Sequence, residues 1–205
     1  MLSSSRCFAY LLMCLVVPAA IAQTTAAPGT VVRVRGEVQA VTQSTLRVLD
    51  KSGEVIDLQL PATLTVSEVF PIALDSVQAG SYIGTAALPQ ADGTQRALAI
   101  TVFPESARGA GEGHRPFDLM PQSTMTNATV AQVVADASGR RLQVRFKDGE
   151  KTIAVPADVP IVSFRPATRA LLVPGASVSL TAQEVDGKPT ALRINAGKDG
   201  FKLPY

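Results

Sequence analysis

The sequence predicts an all-β protein in which one small barrel occurs twice in tandem. Three observations predict it. Apolar and polar residues alternate with period two through most of the chain after residue 30. Turn dipeptides separate the alternating runs, and one ordered set of landmarks recurs about 95 residues further on. Strict alternation marks half-buried strands, and self-similarity at a fixed spacing marks a repeated unit.

The first element is an address rather than part of the fold. Arg6 precedes a continuous apolar run from Cys7 to Val17, Pro18 breaks it, and Ala20-Ile21-Ala22 has the small-x-small form of a cleavage site. This pattern predicts a signal peptide over 1–22, cleaved after Ala22, and export to the periplasm. The run is too short for a membrane span, which needs about 20 residues. A lipidated Cys14 is the rival, but Met13 stands where that signal wants a small residue. Cleavage leaves 183 residues (205 less 22), with 18 basic and 17 acidic side chains and neither Cys7 nor Cys14. Such a chain folds by core burial without disulfides. No transmembrane segment is expected in the mature chain, and 23–30 reads as a leader.

The first barrel is expected over 31–103. Val32-Arg33-Val34-Arg35, Leu46-Arg47-Val48 and Val55-Ile56-Asp57-Leu58-Gln59-Leu60 alternate as strands, with Ser52-Gly53 and Asp92-Gly93 as turns. Glycine supplies the positive φ that tight hairpins require. Asp75 to Gly80 reads as one helical turn ending at a C′ glycine. The second barrel is expected over 127–197, where Leu142-Gln143-Val144-Arg145-Phe146-Lys147 alternates and Ser138-Gly139, Asp148-Gly149 and Asp186-Gly187 mark turns. The repeat pairs Gly53 with Gly149, Leu60-Pro61-Ala62 with Val155-Pro156-Ala157, Gly80 with Gly175, Asp92-Gly93 with Asp186-Gly187, and Ala97-Leu98 with Ala191-Leu192. We read an internal duplication of about 36–103 onto 127–196. Five or six strands with one short helical turn per copy suit a small OB-like β-barrel, with a two-sheet sandwich as the competing arrangement. Residues 198–205 read as a C-terminal tail.

Between the copies, 104–126 has no strand period and carries three Gly and three Pro. It is expected to be a long ordered linker packed across both barrels, anchored by Phe117, Leu119 and Met120. It also holds the one histidine, His114, and both methionines that survive cleavage, Met120 and Met125. His114 with Met120 and Met125 could form a soft, copper-type metal site. Against this, one His without Cys makes no zinc site of familiar composition, and methionine serves as a flexible gap filler. Glu112, His114, Arg115 and Asp118 form a candidate ligand seam, because binding sites favour the junctions between domains. Ser106, Ser123 and Thr126 lack the sequence context of a nucleophile, and Gly109 to Gly113 lacks the Lys-Ser/Thr of a phosphate loop. Arg33 and Arg35 are expected to face solvent and to discourage edge pairing.

A formal charge of +2, 5% aromatic residues and no Trp argue against nucleic acid as a partner. The string Glu112-Gly113-His114-Arg115-Pro116-Phe117-Asp118, followed by Ser123 to Val130, resembles a family of uncharacterised exported bacterial proteins whose domain is thought to be OB-like. Some similar sequences carry a metal-transporter permease label. The resemblance implies export and a barrel fold, brings no known activity or site residues, and leaves metal transport only as a soluble accessory role. The function expected is therefore a non-enzymatic exported binding or accessory module of the bacterial cell envelope, needing no cofactor. Its partner would be an envelope protein or a small ligand. The alternative is a soluble periplasmic protein that handles copper-type metal through His114, Met120 and Met125.

Overall fold

Alternation becomes strand wherever the sequence shows it. The computed structural model describes residues 30–136 and 139–205. The expected signal peptide, its cleavage after Ala22 and Ser138 of one expected turn lie outside the described residues. The first segment forms β1 (Val32–Val41), β2 (Thr45–Asp50), β3 (Val55–Gln59), β4 (Thr65–Pro71), β5 (Tyr82–Pro89) and β6 (Gln95–Val102). A short β7 (Gly113–Pro116) follows. The second segment forms β8 (Thr124–Asp136), β9 (Gly139–Phe146), β10 (Gly149–Val155), β11 (Ile161–Ala167), β12 (Ser177–Val185) and β13 (Lys188–Gly197). Among the described residues the helical elements are 3-10 turns at Leu74–Ser76, Glu105–Ala107 and Arg169–Leu171, and no helix is long and apolar enough to cross a membrane.

The protein is all-β, and its sheet closes into rings. β8, β9 and β10 form an antiparallel meander beside the β5–β6 hairpin. β10 then meets β6 in a short parallel pairing, Ile153 with Gln95 and Ala154 with Arg96, which closes a five-stranded barrel. The remaining strands form a second ring in which β1, β2 and β3 lie beside the β12–β13 hairpin. A single parallel partner pair, Gln59 with Thr190, closes it.

This arrangement corrects the expectation of one barrel in 31–103 and another in 127–197. Each ring takes a three-stranded meander from one segment and a hairpin from the other. The reason lies in β4 and β11. They pair antiparallel with Val69 opposite Phe164, while β4 also joins β13 and β11 also joins β6. Each of these strands carries the chain out of the ring where its meander lies, so the hairpin that follows completes the other ring.

The pairings are nearly unchanged when the segments are interchanged. Ala154 opposite Arg96 answers to Gln59 opposite Thr190, and Ile161 opposite Ile100 answers to Val66 opposite Ile194. Bulges fall between Val38 and Ala40 in one ring and between Val130 and Gln132 in the other. Gly80 N–H donates to the Val130 carbonyl at 2.8 Å, as Gly175 N–H does to the Val38 carbonyl at 2.8 Å. Gly80 and Gly175 have φ of 88° and 87°. They are not C′ residues of a helical turn, since the 3-10 turns end at Ser76 and Leu171. Each is the third residue of a four-residue turn closed at 3.0 Å, by Ser81 N–H to Gln78 and Ala176 N–H to Val173. That position of a type II turn requires positive φ.

Each ring fills its own interior. Leu46, Val48, Leu58, Val178, Leu180 and Ile194 are buried in one, and Ile83, Ile100, Val130, Leu142, Val144 and Ile153 in the other. A smaller cluster of Val69, Val162 and Leu203, flanked by Phe164, Phe201 and Tyr205, sits under the β4–β11 bridge. The expected tail 198–205 is thus a packed segment. Leu203 is 8% exposed, and its N–H donates to Ser177 Oγ at 3.1 Å.

Candidate functional site

Part of the linker is itself sheet. β7 pairs antiparallel with the start of β8, so 113–126 is a hairpin and not the period-free connection expected over 104–126. Its composition hid it, because Gly113-His114-Arg115-Pro116 has no apolar–polar alternation and is bounded by the Gly and Pro of a loop. Ser123 fastens the turn: its hydroxyl lies 2.8 Å from both the Phe117 and Met120 carbonyls, and its carbonyl accepts from Phe117 N–H at 2.8 Å. Before the hairpin, Arg108 grips Glu105 through two hydrogen bonds and donates to the Gly80 carbonyl at 3.0 Å. Tyr82 Oη and Asn127 Nδ2 both donate to the Ala110 carbonyl, at 3.2 and 3.0 Å.

The hairpin divides the candidate residues between its two faces. Residues directly opposite each other in an antiparallel pair share a face, and successive residues alternate. His114 stands opposite Thr126, and Arg115 opposite Met125. His114 Nδ1 lies 2.8 Å from Thr126 Oγ1, and its ring stacks near Phe146 at 6.5 Å. Arg115 and Met125 project on the other side, into a cavity. Met120 is 44% exposed, in the turn. The hairpin therefore does not bring His114, Met120 and Met125 together. Of the candidate seam residues, only Arg115 lines the cavity. Glu112 instead accepts Lys147 N–H at 3.0 Å, tying the linker to the β9–β10 turn. Asp118 reaches across to the other ring, where it accepts from Arg35 Nη2 at 2.7 Å and lies 3.7 Å from Arg33.

The cavity lies at the seam of the two rings and measures about 340 Å³. Its first wall comes from the outer face of β1, β12 and β13. Val34 and Leu180 point into the ring interior, so their neighbours point out. Register aligns Arg33 with Thr181 and Arg193, and Arg35 with Ser179 and Asn195. Ser67 extends the second row onto β4. The facing wall comes from Gly84, Thr101, Asn127, Met125 and Arg115 of the other ring and hairpin. Phe103, Phe117 and Phe164 supply aromatic surface, and Tyr205 closes one side. Phe103 and Phe164 meet edge to face at 5.5 Å. Gly84 makes room for this wall: a Cβ there would meet Asn127 Oδ1 at 2.8 Å and the Phe103 ring at 2.9 Å.

Four arginines line this space, and among the described residues none of those lining it is Asp or Glu. β1 is paired on both sides, so Arg33 and Arg35 are not edge charges; Arg33 keeps the solvent exposure expected of it, and Arg35 does not. The side chain of Arg35 is 12% exposed, because the hairpin covers that face of β1. Both guanidiniums lie against the Phe117 ring, at 5.5 and 5.2 Å. Two shielded polar atoms in the cavity wall have no hydrogen-bond partner among the described residues, Arg35 Nε and Asn127 Oδ1.

Titration follows these contacts. The Arg35 hydrogen bond holds the Asp118 carboxyl below the ordinary carboxylate range, with Arg33 adding a weaker pull. Burial lowers the pKa of His114, helped by Lys151. Burial raises that of Tyr205, against the opposing effects of a hydrogen bond with Thr101 and the nearby Arg35 charge. No family model, curated protein or solved structure gives a significant match to this chain.

Sequence reasoning missed Arg33, Arg35, Arg193 and Asn127 as site residues. The alternation Val32-Arg33-Val34-Arg35 showed which face the arginines take. It carried no signal of what covers that face, which depends on the exchange of strands between segments.

Proposed function

We propose that this protein is a non-enzymatic exported module of the bacterial cell envelope that binds a small ligand at the seam of its two rings. The observation that carries the reading is the seam cavity. It offers about 340 Å³, at the small end of the ~300–1,000 Å³ typical of ligand sites, and joins aromatic walls to convergent polar groups. The equivalent pairings of the two segments support descent from a duplicated OB-like unit, now with exchanged hairpins. The apolar run and small-x-small pattern of residues 7–22 support the envelope as its place.

The test is thermal unfolding with the low-molecular-weight fraction of a periplasmic extract, since a ligand that binds only the folded state raises the midpoint. The wild-type midpoint should rise, and that of Thr181→Trp, which fills the cavity, should not. Equal shifts in both proteins, or no shift in either, would reject the seam as a ligand site. Export is checked separately: protein recovered from the periplasm should begin at Gln23.

A further inference from the structure

We infer that the seam cavity takes a small hydroxylated oxyanion, a carboxylate or phosphate ester of about the size of one sugar. This rests on the reading of the seam as a ligand site and adds the chemistry of what enters it.

The anion follows from how Arg35 is bonded. Three arginines elsewhere in the fold hold a carboxylate with the fork of Nε and Nη2 together, Arg47 on Asp57, Arg108 on Glu105 and Arg165 on Glu68, while Arg140 gives Asp75 only Nη2. Arg35 gives only Nη2 to Asp118, and its shielded Nε has no partner among the described residues. Half of a fork suited to two oxygens is thus unfilled on a residue that lines the cavity. Arg33, Arg115 and Arg193 line the same space, so the Asp118 side chain alone does not balance the arginine side chains. Ionised oxygen is the group such a site favours, and a planar guanidinium serves carboxylate and phosphate alike.

The hydroxyl follows from Asn127. The residue is 6% exposed, and its Nδ2 is committed to the Ala110 carbonyl at 3.0 Å. That bond fixes the amide and leaves Oδ1, packed against Gly84, as an acceptor without a partner among the described residues, on a residue that lines the cavity. A ligand satisfies it only by bringing a donor, O–H or N–H. Ser179, Thr181 and Asn195 on the opposite wall offer further polar partners. Phe103 and Phe164 offer apolar surface to the body that links anion to hydroxyl.

The experiment is isothermal titration of the full chain with four probes: D-glucuronate, D-glucose 6-phosphate, D-glucose and inorganic phosphate. At least one of the first two should bind tenfold or more tighter than both glucose and inorganic phosphate. The tighter of the two shows whether carboxylate or phosphate is the preferred head. Arg35→Gln should weaken that binding at least fivefold. Arg193→Gln should do so too while leaving the thermal midpoint unchanged, since Arg193 is exposed. Equal binding of glucose overturns the anion, equal binding of inorganic phosphate overturns the hydroxylated body, and no binding of any probe overturns both. An unaltered affinity in Arg193→Gln overturns the location. Each of these results leaves the extract-and-Thr181→Trp comparison to stand or fall by itself, so failure of the ligand class and failure of the seam are distinguishable.

Discussion

Phe117→Ala should release the hairpin that roofs the seam while leaving both rings folded. The Phe117 ring is half-buried and lies against two guanidiniums, Arg33 at 5.5 Å and Arg35 at 5.2 Å. Each such contact at a partly wetted site is worth about 0.5–1 kcal/mol. Complete burial of an aromatic side chain contributes about 1.5–3 kcal/mol, so half-burial contributes about 1–1.5 kcal/mol. The sum, about 2–3.5 kcal/mol, acts on local opening, because Phe117 belongs to neither ring core. Native-state hydrogen exchange reads it directly. The amide of residue 117 donates to the Ser123 carbonyl at 2.8 Å, a bond that alanine keeps. A loss of about 2 kcal/mol accelerates exchange roughly 30-fold at one decade per ~1.4 kcal/mol. Amides in the ring interiors, such as that of Leu142, should change less than about twofold if opening stays local. Less than about threefold acceleration at residue 117 would show that the guanidinium–ring contacts do not hold the hairpin. Equal acceleration at Leu142 would show that hairpin and ring open together.

Gly80→Ala and Gly175→Ala should each cost about 1–2 kcal/mol, because both positions have positive φ and a Cβ at either meets nothing within 4 Å, leaving only backbone strain. Denaturant unfolding should give losses that agree within about 0.5 kcal/mol, and a difference beyond ~1 kcal/mol would break the equivalence of the two turns. His114 should titrate below the ordinary 6.5 in an NMR experiment, because burial and Lys151 disfavour the imidazolium. With the folded pKa below the unfolded one, its contribution is complete above about pH 6.5 and is lost as the pH falls toward the folded value; a measured pKa above 6.5 would reverse that sign. Asp118 is depressed as well, so its grip on Arg35 should persist above the unfolded carboxyl pKa and fail as the pH falls through the folded one, a step that Asp118→Asn should abolish.

Strands were legible because their interiors are apolar on one face only. Leu46 and Val48 flank Arg47, and Leu142 and Val144 flank Gln143, so burial and alternation coincide. The repeat was legible for a related reason: turns need particular residues, and Gly80 and Gly175 mark equivalent turns whatever the strands around them do. Partner choice was not legible. β1 presents the same kind of alternating edge to β12 that β8 presents to β5, so the alternation fits pairing within a segment as well as between segments. What decides between them is the antiparallel contact of β4 with β11, nearly a hundred residues apart, which no local pattern encodes. The seam was misread for the same reason. Its main cationic wall is the outer face of β1 and β13, which reads as a solvated face unless a covering hairpin is known.

That misreading bears on what the arginines are for. An arginine pair added only for solubility belongs where water reaches it. Arg35 is shielded from water, and its Nε has no partner among the described residues. A buried donor left unpaired costs about 1–3 kcal/mol, and a charged one more. Its single hydrogen bond to the half-exposed Asp118, which solvent screens, and its contact with the Phe117 ring, about 0.5–1 kcal/mol, are weak compensation. Replacing Arg35 with an apolar residue of similar volume should therefore stabilise the seam or leave it unchanged, as replacement of costly buried charges often does. Loss of stability in Arg35→Met would assign the arginine to the fold. Unchanged or increased stability, with loss of oxyanion binding, would assign it to the ligand and explain why a ring with a complete apolar interior carries its charge on the covered outer face.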